Sequence, residues 1–193
     1  MKKSTIILIA VVAVIVIWGV SAYNGLVAKD ENVKTAWSQV ENQYQRRSDL
    51  IPNLVATVKG YAAHETSTLE GVVEARAKAT QITVDAENLT PERLQEFQAA
   101  QGEVTSAIGR LMMITENYPD LKANQNFLEL QAQIEGTENR ISVERNRFNE
   151  VARDYNTSIR RFPTSVFASV FGFDAKPYFE AEPGSRQAPK VEF

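Results

Sequence analysis

The apolar residues between positions 33 and 61 recur alternately four and three residues apart, with one step filled by a charge. This spacing is typical of an amphipathic helix and lies close to the seam of a coiled coil. The charged step is Arg47, and the step that would follow Tyr61 is Glu65. Because a charge on a buried face requires a partner, the pattern predicts that other parts of the chain supply one. The apolar positions are Val33, Trp37, Val40, Tyr44, Ile51, Leu54, Val58 and Tyr61.

A second apolar stripe repeats every seven residues through the later part of the chain. A seven-residue repeat of this length predicts a helix that packs along its whole length against another helix. Its companion positions include Glu138 and Arg145. If the two helices run antiparallel, we expect Glu138 and Arg145 to form a core ion-pair network with Arg47 and Glu65. The stripe consists of Phe127, Ile134, Ile141, Phe148, Tyr155 and Phe162.

Helix start and stop signals predict the limits of the first two helices. The first helix is predicted from residue 23 to about residue 63, and Pro52 within it removes the hydrogen bond to the Ser48 carbonyl. Ser67 and Glu70 have the spacing of a capping box and predict the start of the second helix at Ser67.

Similar signals predict the remaining helices. Thr90 followed by Pro91 is typical of an N-cap and a first helical position, and predicts a third helix to about residue 117. Asp120 is predicted to cap a fourth helix that ends near Arg161, and residues 164–171 are predicted to form a short helix. These elements predict an all-α fold, an up-and-down antiparallel four-helix bundle.

The N-terminal segment is apolar from residue 6 to about residue 22 and is long enough to cross a bilayer. Trp18 and Tyr23 lie where interfacial aromatic residues are found. A cleaved signal peptide is the competing interpretation, because Val20-Ser21-Ala22 fits a cleavage site, but the run is long for a signal core. We therefore expect a transmembrane anchor over residues 1–22, a helical bundle over residues 23–181 and a disordered tail over residues 182–193.

Charge and composition narrow the chemistry and the orientation. The 21 basic and 24 acidic residues give a net charge of −3, which argues against nucleic-acid binding. The absence of cysteine excludes thiolate metal sites and cysteine nucleophiles, and His64 is the single histidine. We therefore expect no metal, no cofactor and no catalytic residues. Lys2 and Lys3 precede the apolar segment and favour an N-terminus in the cytoplasm with the bundle outside.

The C-terminal part of the chain is rich in aromatic residues. Exposed aromatic clusters mark contacts with proteins or lipids, so these residues are a candidate partner contact. The alternative is a small core that covers one end of the bundle. The residues are Phe167, Phe171, Phe173, Tyr178 and Phe179.

Several short motifs occur in a fixed order along most of the chain after residue 22. They are Tyr23-Asn24-Gly25-Leu26-Val27, Glu116-Asn117-Tyr118-Pro119-Asp120-Leu121-Lys122-Ala123, Thr137-Glu138-Asn139-Arg140-Ile141, Tyr155-Asn156, Phe162-Pro163, Gly172-Phe173 and Tyr178-Phe179, besides the stretch from Ala36 to Glu65. In their order and number these motifs resemble the LemA family of bacterial membrane proteins. One departure is Phe148-Asn149, where the family typically has a Tyr-Asn pair. The resemblance implies a helical bundle on one anchor in the bacterial inner membrane, a membrane-protein partner with a TPM domain, and no established activity.

Taken together, the sequence favours a structural, scaffold or adaptor protein that is anchored in the lipid bilayer and is not an enzyme. Long helices with apolar faces often complete their cores by association, so we expect a homo-oligomer. The first alternative is a signal-relay subunit of a membrane complex, and the second is an enzyme with an unrecognised site.

Overall fold

The computed structural model describes residues 3–180, and every regular element within that range is helical. A 3₁₀ turn, Ala86–Asn88, lies between the second and third α-helices. The predicted tail, residues 182–193, lies outside the described residues. The α-helices are α1 (Lys3–Lys59), α2 (Thr66–Gln81), α3 (Pro91–Thr115), α4 (Pro119–Lys122), α5 (Gln125–Arg160) and α6 (Thr164–Phe171).

Helix α1 unites the apolar N-terminal segment and the first helix of the folded body. It is 57 residues long, or about 85 Å at 1.5 Å per residue. The large apolar side chains from Ile6 to Ile17 are exposed, whereas one face is buried from Leu26 onward. Within residues 3–180, α1 alone contains a stretch long and apolar enough to cross a membrane. The body is therefore attached to that stretch without an intervening turn.

Helix α5 packs along α1 and runs in the opposite direction, because residues late in α1 contact residues early in α5. The apolar stripe of α5 is buried in this contact except at its last position. Phe162 is 84% exposed because α5 ends at Arg160 and the backbone of Arg161 is extended. Polar contacts join Lys29 with Asp154, Arg47 with Glu138, and Tyr61 with Asn124.

Helices α2 and α3 pack on each other and complete the core, which has two apolar clusters. The cluster nearer the apolar segment surrounds Trp37 and includes Phe97 and Phe148. The distal cluster includes Leu54 and Leu111. The Trp37 indole nitrogen donates to the Val84 carbonyl at 3.0 Å, which fixes the connection between α2 and α3 against α1.

Three of the predicted helix boundaries differ in the structure. The predicted Ser67 capping box is wrong, because α2 begins one residue earlier, at Thr66, and no side chain caps it. The first helix ends at Lys59 rather than near residue 63. Asp120 lies inside the short α4, and the cap of α5 is Asn124, whose side chain accepts a hydrogen bond from the Phe127 amide at 3.0 Å. The Thr90 cap of α3 is present as expected, since Thr90 accepts from the Arg93 amide.

Pro52 leaves the Ser48 carbonyl without its usual intrahelical donor, and α2 supplies a replacement. The Arg76 Nε donates to the Ser48 carbonyl at 2.8 Å, and α1 continues through Pro52 to Lys59. A proline inside a helix therefore creates an attachment point between α1 and α2.

We expect Arg76→Met to lower the free energy of unfolding by about 1–2 kcal/mol, because a part-buried carbonyl loses its donor. In a Pro52→Ala background the amide of residue 52 can reach the Ser48 carbonyl, so the same substitution should cost less. Denaturant unfolding of the full chain in detergent measures both costs. If Arg76→Met lowers the free energy of unfolding equally in both backgrounds, Arg76 does not replace the amide donor that Pro52 lacks.

Candidate functional site

Arg47 lies between the two apolar clusters of the core and is 1% exposed. It occupies the step of the α1 stripe between Tyr44 and Ile51, which belong to different clusters. A buried guanidinium requires hydrogen-bond acceptors on every side that water has left. The sequence around Arg47 supplies none of them, so they come from α3 and α5.

The Arg47 guanidinium donates to groups on both of these helices. Its Nη1 donates to Glu138 Oε1 at 2.6 Å and to Thr105 Oγ1 at 2.8 Å. Its Nη2 donates to the Gln101 side-chain oxygen at 2.6 Å and to the Gln101 carbonyl at 3.1 Å. The guanidinium carbon also lies 5.2 Å from the centre of the Tyr44 ring. Arg47 thus connects α1, α3 and α5 at one level of the core.

The structure places Glu65 and Arg145 away from the Arg47–Glu138 pair. Glu65 lies at the distal end, where its Oε1 accepts from the Tyr118 hydroxyl at 3.1 Å. Burial, and then this hydrogen bond, raise the pKa of Tyr118. Arg145 is half-buried and donates to the Glu180 carbonyl at 3.1 Å. Within residues 3–180 neither side chain forms an ion pair, so the four predicted residues do not form one network.

Residues 173–180, here called the C-terminal strap, run along α5 and are held by two asparagine amides. The Asn156 side chain donates to the Lys176 carbonyl and accepts from the Lys176 amide, both at 2.8 Å. The Asn149 side chain forms the same two bonds with Phe179, at 3.0 and 2.8 Å. Each asparagine therefore satisfies both backbone groups of one strap residue, as a neighbouring strand would.

The aromatic residues predicted as a partner contact separate into two groups. Phe179 is buried and stacks on Trp37 with ring centres 5.8 Å apart, and its ring also contacts Phe148 at 5.5 Å. It therefore belongs to the core and is not available to a partner. Tyr178 is 43% exposed, and its hydroxyl accepts from Asn156 at 2.9 Å.

The second aromatic group lies where α6 meets α1. Phe167 contacts Trp18 with ring centres 5.3 Å apart. Phe171 and Phe173 contact Tyr23 at 5.0 and 5.7 Å. Phe171 remains 55% exposed, so this group keeps an apolar surface.

The charged side chain of Lys176 fastens the strap to α1. Its Nζ lies 3.0 Å from Asp30 Oδ1 and 5.8 Å from the centre of the Tyr155 ring. Burial, and then the charge of Asp30, raise the pKa of Tyr155 to about 12. Tyr155 is therefore neutral at physiological pH and serves as a packing residue under the strap.

A cavity of about 140 Å³ lies beside Arg47 and is also lined by Arg76, Ile82 and Phe97. Both arginines already donate to protein oxygens. They therefore line the cavity as structural residues and are not free to bind an anion in it. Within residues 3–180 no group of three or more His, Cys, Asp and Glu side chains lies close enough to hold a metal ion. His64 is exposed at the distal end.

We expect Arg47→Met to lower the free energy of unfolding by about 3–5 kcal/mol, because it breaks a buried ion pair and leaves its acceptors unpaired. Arg47→Met combined with Glu138→Met should recover part of that loss, since an apolar pair needs no acceptors. Arg46→Met is the matched control, because the neighbouring Arg46 is exposed, and it should stay within about 0.5 kcal/mol.

Fluorescence of Trp37 during denaturant unfolding measures these values, with Trp18→Phe as the background so that Trp37 is the single reporter. If Arg46→Met and Arg47→Met lower the free energy of unfolding equally, the buried contacts of Arg47 do not stabilise the fold.

Asn156→Asp removes the donor to the Lys176 carbonyl and places a carboxylate against it. We expect amide exchange in the C-terminal strap to accelerate on the order of tenfold, as about 1.4 kcal/mol is lost, while exchange in α1 and α5 stays unchanged. Asn146→Asp, at an exposed position of the same helix, is the control. Hydrogen exchange read by mass spectrometry makes the comparison. Unchanged strap exchange would show that the amide does not hold it.

Comparison with known proteins agrees with the resemblance seen in the motifs. Residues 36–193 match the family model described as the LemA family. The chain is similar to magnetosome protein MamQ of Magnetospirillum gryphiswaldense, with 28% identity over 178 residues that cover 83% of this chain and 65% of that protein. It therefore spans just under two thirds of that relative's length.

A further relative is protein LemA of Metamycoplasma hominis, with 26% identity over 158 residues that cover 82% of this chain and 68% of that protein. The family match runs over most of the chain and includes Arg47, Glu138 and both strap-holding asparagines. The chain therefore belongs to the LemA family.

Proposed function

We propose that this protein is a membrane-anchored scaffold or adaptor. In this proposal residues 1–22 cross the bilayer, and α1, α2, α3 and α5 form an up-and-down antiparallel four-helix bundle. The observation that carries the proposal is the continuity of α1, which runs unbroken from the apolar segment to Lys59. The packing of α5 along α1 stiffens this helix outside the membrane. Such a body can hold a docking surface at a fixed position relative to the bilayer.

The use of polar side chains supports a role without catalysis. Arg47 and Glu138 are engaged with each other, and Asn149 and Asn156 with the C-terminal strap. These are structural tasks that hold helices and strap together. Magnetosome protein MamQ, one of the relatives, is named after a cellular structure and not after a reaction, which also favours a structural role for this chain.

The proposed partners are a second copy of the chain and a membrane protein such as one with a TPM domain. Size-exclusion chromatography with light scattering of the full chain in detergent tests the first. We expect a protein mass that is a multiple of 21.6 kDa. A mass of one chain at all concentrations would contradict homo-oligomerisation and leave docking of another protein as the proposal.

Photo-cross-linking in cells tests docking of another protein. A photoreactive residue is placed in turn at the exposed Tyr61, Val73, Met113 and Val143, which lie on different parts of the body. We expect one face to capture a defined membrane protein, and Arg47→Met to reduce that capture while Arg46→Met does not. Absence of any defined product from every face, together with a monomeric chain, would contradict the scaffold proposal.

A signal relay is the second candidate, because a continuous α1 can also transmit a rotation or shift through the membrane. Inserting one alanine among residues 8–14 rotates the body by about 100° relative to the segment before it, given 3.6 residues per turn. A scaffold should keep its partner's output after this insertion. Loss of output with the partner still captured would favour the relay.

We also propose that the N-terminus lies in the cytoplasm and the body outside the inner membrane. The chain has no cysteine, so Val143→Cys introduces a single thiol at a position that is 62% exposed. A membrane-impermeant maleimide should label it in intact spheroplasts. Labelling that requires lysis would place the body in the cytoplasm.

A further inference from the structure

Helix α6 packs on α1 at the end of the apolar segment. Phe167 contacts Trp18, and Phe171 contacts Tyr23. Aromatic residues at such positions are typical of the boundary between hydrocarbon and headgroups. The structure thus brings a second helix to the level where α1 would leave the bilayer.

Gly19 leaves room for the Phe167 ring in this position. It is buried, although the side chains around it on α1 from residue 6 to residue 20 are exposed. A Cβ atom at Gly19 would lie 2.9 Å from Cε1 of Phe167, which is closer than such contacts allow. At Gly25, also on α1, a Cβ atom would meet nothing within 4 Å. The ring of Phe167 therefore packs directly on the backbone of α1.

Beyond the Phe167 contact, α6 exposes further apolar side chains. Val166 is 54%, Val170 73% and Phe171 55% exposed, and the preceding Phe162 is 84% exposed. Residues 162–173 include no charged residue, whereas Arg160 and Arg161 come directly before them. Elsewhere on the body the large exposed apolar residues are scattered: Val73 lies on α2 and Met113 on α3, and Leu128 and Val143 lie fifteen residues apart on α5. The others are Val27, Tyr61 and Tyr178.

The apolar surface of α6 is continuous with the apolar surface of α1. The residues Ile15, Val16, Val20 and Tyr23 of α1 and Phe167 and Phe171 of α6 line one shared apolar groove. A contiguous apolar surface of this kind is unfavourable in water and marks a contact with lipid or protein. Because the adjoining surface of α1 is that of the proposed membrane span, lipid is the occupant that covers both without a break.

We propose that α6 is an interfacial helix, whose face formed by Val166, Val170 and Phe171 is inserted into the bilayer at the boundary between headgroups and acyl chains. This inference rests on the membrane anchor proposed above. Helices of this type lie about 5–10 Å into that boundary. The exposed Arg160 and Arg161 stand at the water side, where anionic headgroups attract them.

With α6 inserted in this way, the body contacts the membrane twice, through α1 and through α6. Gly172 ends α6 with a left-handed backbone (φ 72°) and turns the chain into the C-terminal strap. The strap carries Phe179 into the core beside Trp37. The position of α6 at the bilayer is therefore linked through a short connection to the packing of the membrane-proximal core.

The absence of cysteine allows a direct test by spin labelling. A nitroxide is attached to Val170→Cys on α6, to Val14→Cys in the apolar segment, and to Val143→Cys on α5 as the aqueous control. The full chain is reconstituted in vesicles of phosphatidylcholine and phosphatidylglycerol. Collision with oxygen, which concentrates in lipid, is compared with collision with a water-soluble nickel complex.

We expect the Val170 label to collide with oxygen more than with nickel, as the Val14 label does, and the Val143 label to show the reverse. If Val170 behaves like Val143 while Val14 reports lipid, α6 lies in water and this inference is overturned although the anchor stands. If Val170 is shielded from both reagents, a second copy or another protein covers α6 and the lipid assignment is wrong. If Val14 itself is in water, the proposed anchor and this inference both fail.

Gly19→Leu tests whether docking on α1 holds α6. We expect faster motion of the Val170 nitroxide in this variant, because the new side chain displaces the Phe167 ring. Gly25→Leu is the matched control and should leave the spectrum unchanged. The same nitroxide motion in both variants would overturn the docking of α6 at Gly19.

Discussion

The antiparallel contact between α1 and α5 is the interaction on which the rest of this structure depends. It buries the apolar stripes of both helices, except Tyr61 and Phe162 at their ends, and brings Arg47 of α1 next to Glu138 of α5. A buried arginine is stable only where hydrogen-bond acceptors surround it. Any other register of α1 and α5 would separate Arg47 from its acceptors and would therefore cost free energy. Because Gln101 and Thr105 of α3 are among those acceptors, the same residue also fixes the level at which α3 packs.

The end of the described chain returns to the helices that begin the body. Helix α6 packs on α1 near Trp18, and the C-terminal strap then follows α5 away from that end. Phe179 of the strap packs against Trp37 of α1. The apolar cluster around Trp37 is therefore built from residues far apart in sequence, and helix packing alone does not complete it.

Spacing along the sequence predicts the buried faces of the two long helices well, because a helix packed along its length buries every third or fourth residue. It also singles out Arg47, since a charge inside an apolar stripe is visible without a structure. Arg145 occupies a companion position of the second stripe, yet its guanidinium lies 4.9 Å from the centre of the Phe179 ring and donates to the Glu180 carbonyl. Those partners belong to the strap, a segment without periodicity, so helix spacing could not reveal them.

The sequence contains one indication of the strap, which the rules of helical apolar spacing do not interpret. Asn149 and Asn156 are seven residues apart on one face of α5, which fits a site that binds an extended backbone at regular intervals.

The N-cap of α5 was harder to predict from the sequence than its buried face. Asp120 and Asn124 are both good N-caps, and the choice between them depends on whether residues 119–122 form a separate short helix, which they do.

Pulsed electron paramagnetic resonance can measure the direction of α5 relative to α1, on which the buried stripes and the Arg47–Glu138 pair depend. Nitroxides are placed in pairs on the full chain, at residues 29 and 154 and, in a second sample, at residues 29 and 124. We expect a short distance for the first pair, set by the roughly 8–10 Å between packed helices. We expect a distance on the order of 45 Å for the second pair, because about 30 residues of α5 separate positions 124 and 154. A long distance for the first pair and a short one for the second would show that the two helices run parallel.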